Sequence, residues 1–193
     1  RLKSKYFNRE MDKITQIPSS KTAKNSVNSI DNIYTITGTL IHKYYEITIK
    51  KQLDINKLLS NKLSFIYDLF SKIGYQKSEI NYAMEVVKES LLSLQKSKDG
   101  QWIYQLHEDD RMEVNYLHSI ADEDKILIPD RTFIEDGKRW IIDYKTVFDD
   151  KLDLEIEAKT HIEQLQIYES LFDDGYLIQK AIYFVRQGKL ILI

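Results

Sequence analysis

Between residues 37 and 94 apolar side chains recur at three- and four-residue spacing, and beyond residue 102 the period drops to two. The first regime predicts helices. Leu40, Ile41, Tyr44 and Tyr45 mark one that starts near Thr37-Gly38, and Leu58-Leu59, Phe65-Ile66 and Leu69-Phe70 mark a second, ended by Gly74. Ile80, Ala83, Met84, Val87, Leu91 and Leu94 form the stripe of a long third helix, with Ser78 as its N-cap and Asp99-Gly100 as its end. The second regime predicts strands. Trp102, Tyr104 and Leu106 alternate up to a turn at His107-Glu-Asp-Asp110, and Met112, Val114 and Tyr116 alternate after it. A last helix is expected from about Glu155 to Phe172, followed by two strands joined at Gln187-Gly188. Helices, then several antiparallel strands, then a helix and a closing strand pair make an α/β sandwich of helices on a mixed sheet.

The most specific local signal is a hairpin. Ile126-Leu-Ile-Pro-Asp130-Arg-Thr-Phe-Ile134 and Arg139-Trp-Ile-Ile-Asp143-Tyr-Lys145 flank Asp136-Gly137, the favoured pair for a two-residue loop whose central residues both need positive φ. Pairing Glu135 with Lys138 sets the register. Asp130 then falls opposite Asp143, and Lys145 opposite Ile128. Alternation puts Asp130, Asp143 and Lys145 on one face and Trp140, Ile142 and Tyr144 on the other. The runs Ile126-Leu-Ile and Trp140-Ile-Ile read as strands buried on both faces. Two opposed carboxylates with Cβ atoms roughly 5 Å apart destabilise a sheet unless a cation neutralises them. Mg²⁺ suits such a pair, because it needs only one or two carboxylates plus waters and substrate phosphates. Lys145 is then placed to stabilise a transferring phosphoryl group or to orient the attacking water.

Composition narrows the field. The 193 residues, 42% hydrophobic, are enough for one domain with a sizeable core, to which thirteen tyrosines and seven phenylalanines contribute. Residues 1–37 read as a lead-in rich in Lys, Ser and Asn, and residues 38–193 as the domain. A formal net charge of -2 provides no global basic field for nucleic acid, so any DNA contact must be local. The lack of cysteine excludes disulfides, a thiolate zinc site and an iron–sulfur cluster, and it fits a cytoplasmic protein. No apolar run approaches the roughly 20 residues of a membrane span. A start at Arg1 and an apolar end at Ile193 read as those of a module from a larger polypeptide.

Pro129-Asp130, twelve residues, then Asp143-Tyr-Lys145 is similar to the motif of the PD-(D/E)XK nucleases, and Asp143-Tyr144-Lys145-Thr146 resembles its form in the RecB/AddA branch of helicase–nucleases. Gly38-Thr-Leu-Ile-His42 resembles that branch's GxxxH helix, and Gln164-Leu-Gln-Ile-Tyr168 its QxxxY helix, with the two side chains on one helix face. Glu113, expected on a strand, occupies the place of a further acidic residue. The resemblance covers roughly residues 38–186, with the motifs in family order.

It implies a restriction-endonuclease-like sheet flanked by helices, and a Mg²⁺-dependent exonuclease (with Mn²⁺ as a substitute ion) acting in double-strand-break repair. His42, Asp130, Asp143 and the Tyr144 carbonyl would be metal ligands and Lys145 the catalytic lysine, while Glu113, Gln164 and Tyr168 would support the site or contact DNA. DNA is the implied partner, and a helicase region of the same polypeptide or complex would do the unwinding, since this chain has no helicase motif. An inactive nuclease-like DNA-binding scaffold and a restriction or junction-resolving endonuclease are the alternatives. The Asp-Asp-Lys set argues against the scaffold, and the GxxxH and QxxxY motifs against the endonuclease.

Overall fold

The computed structural model describes residues 29–120 and 123–193. Up to residue 28 the expected lead-in lies outside the described residues. Helix α1 spans Ser29–Lys51 and so begins well before Thr37. Its Ile33, Ile36, Leu40, Ile41, Tyr44 and Tyr45 are all buried, which carries the apolar stripe back past the expected start. Helix α2 (Ile55–Ile73) is capped by Asp54, whose carboxylate accepts from Lys57 N–H, and ends at Gly74 with φ 104°. That left-handed position is why a glycine stops the helix.

Helix α3 (Lys77–Lys96) starts before Ser78. Gln76 is the N-cap, and Glu79 reaches back 2.7 Å to its N–H. At Ser97 the chain does not turn into a strand. The Ser97 hydroxyl accepts from Gly100 N–H and opens a short helix α4 (Lys98–Tyr104), so Trp102 and Tyr104 are helical rather than alternating. Tertiary packing prevails over the period-two signal here. The Trp102 ring lies 5.3 Å from Phe133 and 4.9 Å from Trp140, and its indole N–H donates to Glu135.

Strand β1 (Glu108–Met112) occupies most of the segment expected as a turn, bulged where Asp109 takes φ 47°. Strands β2 (Tyr116–Ile120) and β3 (Glu123–Leu127) form a separate two-stranded ribbon. Ile126 and Ile128 are therefore exposed, at 63% and 40%, and the expectation of a strand buried on both faces fails for this run. Pro129 breaks the chain between the ribbon and β4 (Arg131–Glu135).

Strand β5 (Lys138–Lys145) pairs with β4 in the expected register from Glu135–Lys138 to Arg131–Ile142, and Asp136 and Gly137 both have positive φ, 51° and 69°. The ladder ends one pair short of Asp130 and Asp143, and Ile128 is not paired with Lys145.

The expected long helix after β5 is two helices, α5 (Leu154–Lys159) and α6 (Ile162–Glu169), broken at Thr160-His161. Strands β6 (Leu177–Phe184) and β7 (Lys189–Leu192) close the chain. The central sheet runs β1-β4-β5-β6-β7, with β5 and β6 parallel and the other neighbours antiparallel, so it is mixed. Helices α1–α4 pack on one side against Phe133, Ile142, Tyr144, Ala181 and Tyr183. Helices α5 and α6 pack on the other, where Ala158, Leu165 and Tyr168 meet Ile141, Ile182 and Phe184. No helix among the described residues is long and apolar enough to cross a membrane.

Candidate active site

The two sides of β5 have different jobs. Ile142 and Tyr144 enter the α1–α4 core, so alternation turns Asp143 and Lys145 toward α6. Asp143 Oδ2 forms a 2.8 Å ion pair with Lys145 Nζ. Asp143 Oδ1 accepts from Gln164 Nε2 at 3.3 Å, and Lys145 Nζ donates to Gln164 Oε1 at 3.4 Å. Gln164 Nε2 also donates to the Tyr168 hydroxyl at 2.9 Å, one helical turn on, and that hydroxyl donates to the Ile128 carbonyl at 3.3 Å. The spacing of four on α6 thus lets one glutamine hold both Asp143 and Lys145 while a tyrosine ties the glutamine to the chain entering Asp130.

Asp130 stands where β4 begins. Its Oδ2 accepts from Tyr144 N–H at 2.6 Å, and its Oδ1 is 3.1 Å from His42 Nδ1. His42 comes from the opposite layer, with its ring edge-on to Tyr144 at 5.8 Å. Glu113 follows β1 rather than lying on a strand. It takes φ 54°, and its N–H donates to the Asp130 carbonyl at 3.1 Å. One ligand atom each from His42, Glu113 and Asp130 lies within 4.8 Å of the others. This nitrogen-and-two-carboxylate set differs from the expected one: Glu113 joins His42 and Asp130, while the Asp143 carboxylate is engaged by Lys145 and Gln164. Tyr144 contributes its N–H to Asp130 and its ring to the packing beneath His42.

The electrostatics of the site follow from crowding carboxylates into partly desolvated space. Desolvation, then repulsion from Asp130, pushes the Glu113 carboxyl up to about 6. Asp143 is raised by the same two causes, with Lys145 and His42 pulling against them. Desolvation alone would lower His42, but the hydrogen bond to Asp130 and the charges of Asp130, Glu113 and Asp143 outweigh it and hold the imidazole above its ordinary value. Surplus negative charge of this kind is what a divalent cation would relieve. Carboxylate oxygens favour Mg²⁺ or Mn²⁺.

The sequence matches no protein-family model and no curated protein. A reading of function therefore rests on the motifs and this geometry.

One further residue carries the site without being evident from motifs. Arg131 is fully buried, and its guanidinium donates to the Asp110 carboxylate and to the carbonyls of Ile103 and Gln105, which anchors the chain beside Asp130. Its only sequence signal is a charge within a buried strand. Gly38, the glycine of the GxxxH motif, lies beside Thr146, a placement visible only in three dimensions.

Proposed function

We propose that this chain is a divalent-metal-dependent deoxyribonuclease with a restriction-endonuclease-like sheet, of the RecB/AddA type within the PD-(D/E)XK nucleases. The observation that carries the reading is the convergence of residues far apart in sequence. His42, Glu113 and Asp130 form one cluster and Asp143, Lys145, Gln164 and Tyr168 a hydrogen-bonded and ion-paired second one, and the charges of Asp130 and His42 act on Asp143 between them.

In this reading His42, Glu113 and Asp130 hold the cation, with Asp143 beside them. A bound Mg²⁺ or Mn²⁺ would supply an activated water and neutralise charge on the phosphoryl oxygens. Lys145, half-buried and steered by Gln164, is placed to donate to a non-bridging phosphate oxygen or to orient the water, where a fixed positive charge favours the pentacovalent state. His42, held above its ordinary value, must release its proton before its nitrogen can serve as a ligand. A net charge of -2 leaves unwinding and long-range DNA capture to a helicase partner in the same polypeptide or complex.

The test is incubation of linear and closed-circular DNA with the purified chain in Mg²⁺ or Mn²⁺. Degradation from ends is expected, abolished in Asp143→Ala and Lys145→Ala proteins whose circular dichroism matches the parent. Full activity in either variant refutes the assignment, and discrete fragments would point to a restriction-type enzyme instead.

A further inference from the structure

The C-terminal half of α1 is sunk into the core except along one strip. Between residues 40 and 50 every residue is buried apart from His42, Lys43, Glu46 and Lys50, which follow one another at helical spacing on a single side. His42 reaches the candidate metal cluster from this strip, so a substrate that meets a cation there lies over α1 where the strip is open. What it meets next is positive. Glu46, whose side chain is only 14% exposed, accepts from Lys43 Nζ at 2.6 Å and from Lys50 Nζ at 2.8 Å. Lys50 Nζ also donates to the Met112 carbonyl at 3.2 Å, directly before Glu113 in the chain.

Two lysines share one carboxylate, so the strip keeps a surplus positive charge. Each ammonium group has three N–H donors. Lys43 uses one on Glu46, and Lys50 uses one on Glu46 and one on Met112, which leaves both with a donor for a further acceptor. Already steered by Glu46, the two long side chains have less rotamer freedom to lose on binding than unpaired lysines would. Their location matters because Glu113, Asp130 and Asp143 together repel a polyanion. Lys43 lies close enough for its charge to act on the Glu113 carboxyl, against desolvation and the repulsion from Asp130. In a chain of net charge -2, attraction for DNA has to come from a local arrangement of this kind.

We propose that Lys43 and Lys50 form a phosphate-binding subsite that holds the backbone of the substrate strand along α1, next to the scissile phosphate. This rests on the nuclease reading above and specifies the phosphodiester backbone, rather than base edges, as what is held. The eight residues from His42 to Lys50 span about 12 Å of helix axis. At about 3.4 Å per nucleotide, the contacted phosphates fall within about four nucleotides of the cut. An ammonium group meets phosphate as a point charge and reads no base, so the subsite is indifferent to sequence. Glu46 is a positioning residue here: it sets where the two charges stand without touching the strand.

The experiment measures equilibrium binding of a short labelled single strand to the full chain in EDTA, by fluorescence anisotropy over a series of salt concentrations, and maps cleavage of the same strand in Mg²⁺. Each phosphate contact removed from a single strand lowers the slope of log affinity against log salt by about 0.7. The double variant Lys43→Gln, Lys50→Gln should therefore lose about 1.4 of the parent's slope, equally on strands of different sequence. Lys43→Arg, Lys50→Arg, which keeps both charges, should retain it. In a scan of strands carrying one uncharged methylphosphonate linkage at a time, linkages within about four nucleotides of the cut should weaken binding to the parent and leave binding to the glutamine variant unchanged. An unaltered slope in a folded glutamine variant, or a scan in which no linkage weakens binding to the parent, overturns the subsite. A protein that cleaves but fails to bind in EDTA, or binds without these sensitivities, retains the nuclease reading and loses the subsite. One that shows these sensitivities but never cleaves retains the subsite and loses the nuclease reading. Absence of both binding and cleavage overturns both.

Discussion

Replacing Gly38 by alanine should make the protein more stable. Gly38 is interior to α1, and the nearest atom to an added Cβ is Thr146 Oγ1 at 3.9 Å, so the methyl group enters without displacing anything. Glycine in a helix interior gives up about 0.5–1 kcal/mol relative to alanine, because more backbone freedom is lost on folding. At about 2–4 °C per kcal/mol for a chain of this size, the melting temperature should rise by about 1–4 °C. Gly100→Ala is the matched control. There the same methyl would lie 2.7 Å from Ser97 Oγ and closer still to the Ser93 carbonyl oxygen, so the α3–α4 junction must open, at about 1–3 kcal/mol. Urea unfolding followed by far-UV circular dichroism, with unchanged slope, measures both. A destabilised Gly38→Ala protein, or a Gly100→Ala protein as stable as the parent, would show that the packing around these glycines has been misjudged.

Gln164→Ala should reduce cleavage about 10- to 100-fold while leaving the fold intact, since it frees both Asp143 and Lys145 from their shared partner; an unchanged rate would remove Gln164 from the site. In metal-free protein the Glu113 carboxyl, at about 6 against an ordinary 4.5, binds its proton more tightly in the folded state. Its contribution to stability is therefore full below about pH 4.5 and is lost as the pH rises through about 6. The carboxylate is exposed, so screening keeps the effect under about 1 kcal/mol; urea titrations in EDTA should show it, and Glu113→Gln should flatten that part of the profile. Saturating Mg²⁺, at about 100 times its dissociation constant, should add about 2.7 kcal/mol to the parent, and markedly less to a His42→Ala variant, as read by the same melts. Arg131→Met should lose about 3–5 kcal/mol, because it leaves Asp110, only 10% exposed, without its cation; a loss under 1 kcal/mol would mean the loop relaxes to solvate Asp110.

Local rules worked where the determining interactions are local. Gly74 ends α2 because only a left-handed residue completes that turn, and Asp136-Gly137 sets the β4–β5 register because both positions carry positive φ. They failed where partners from elsewhere outweigh the pattern. Trp102 and Tyr104 alternate as in a strand, but Ser97 caps a helix there and the Trp102 ring packs on Phe133 and Trp140. Ile126 and Ile128 look like an interior strand, yet Pro129 detaches their ribbon from the central sheet and leaves them exposed.

The sequence by itself determined the hairpin register as far as Arg131–Ile142, and with it the shared face of Asp143 and Lys145, because turn chemistry and the two-residue period of a strand require no distant partner. It also determined that Gln164 and Tyr168 lie together on a helix, because four residues make about one turn. Only the tertiary structure decided that His42 meets Asp130, 88 residues away, that Glu113 closes the cluster from a left-handed position after β1, and that Asp143 turns to Lys145 and Gln164. Those contacts depend on how helices from two layers reach the same end of β5, and no periodicity in the chain encodes that meeting.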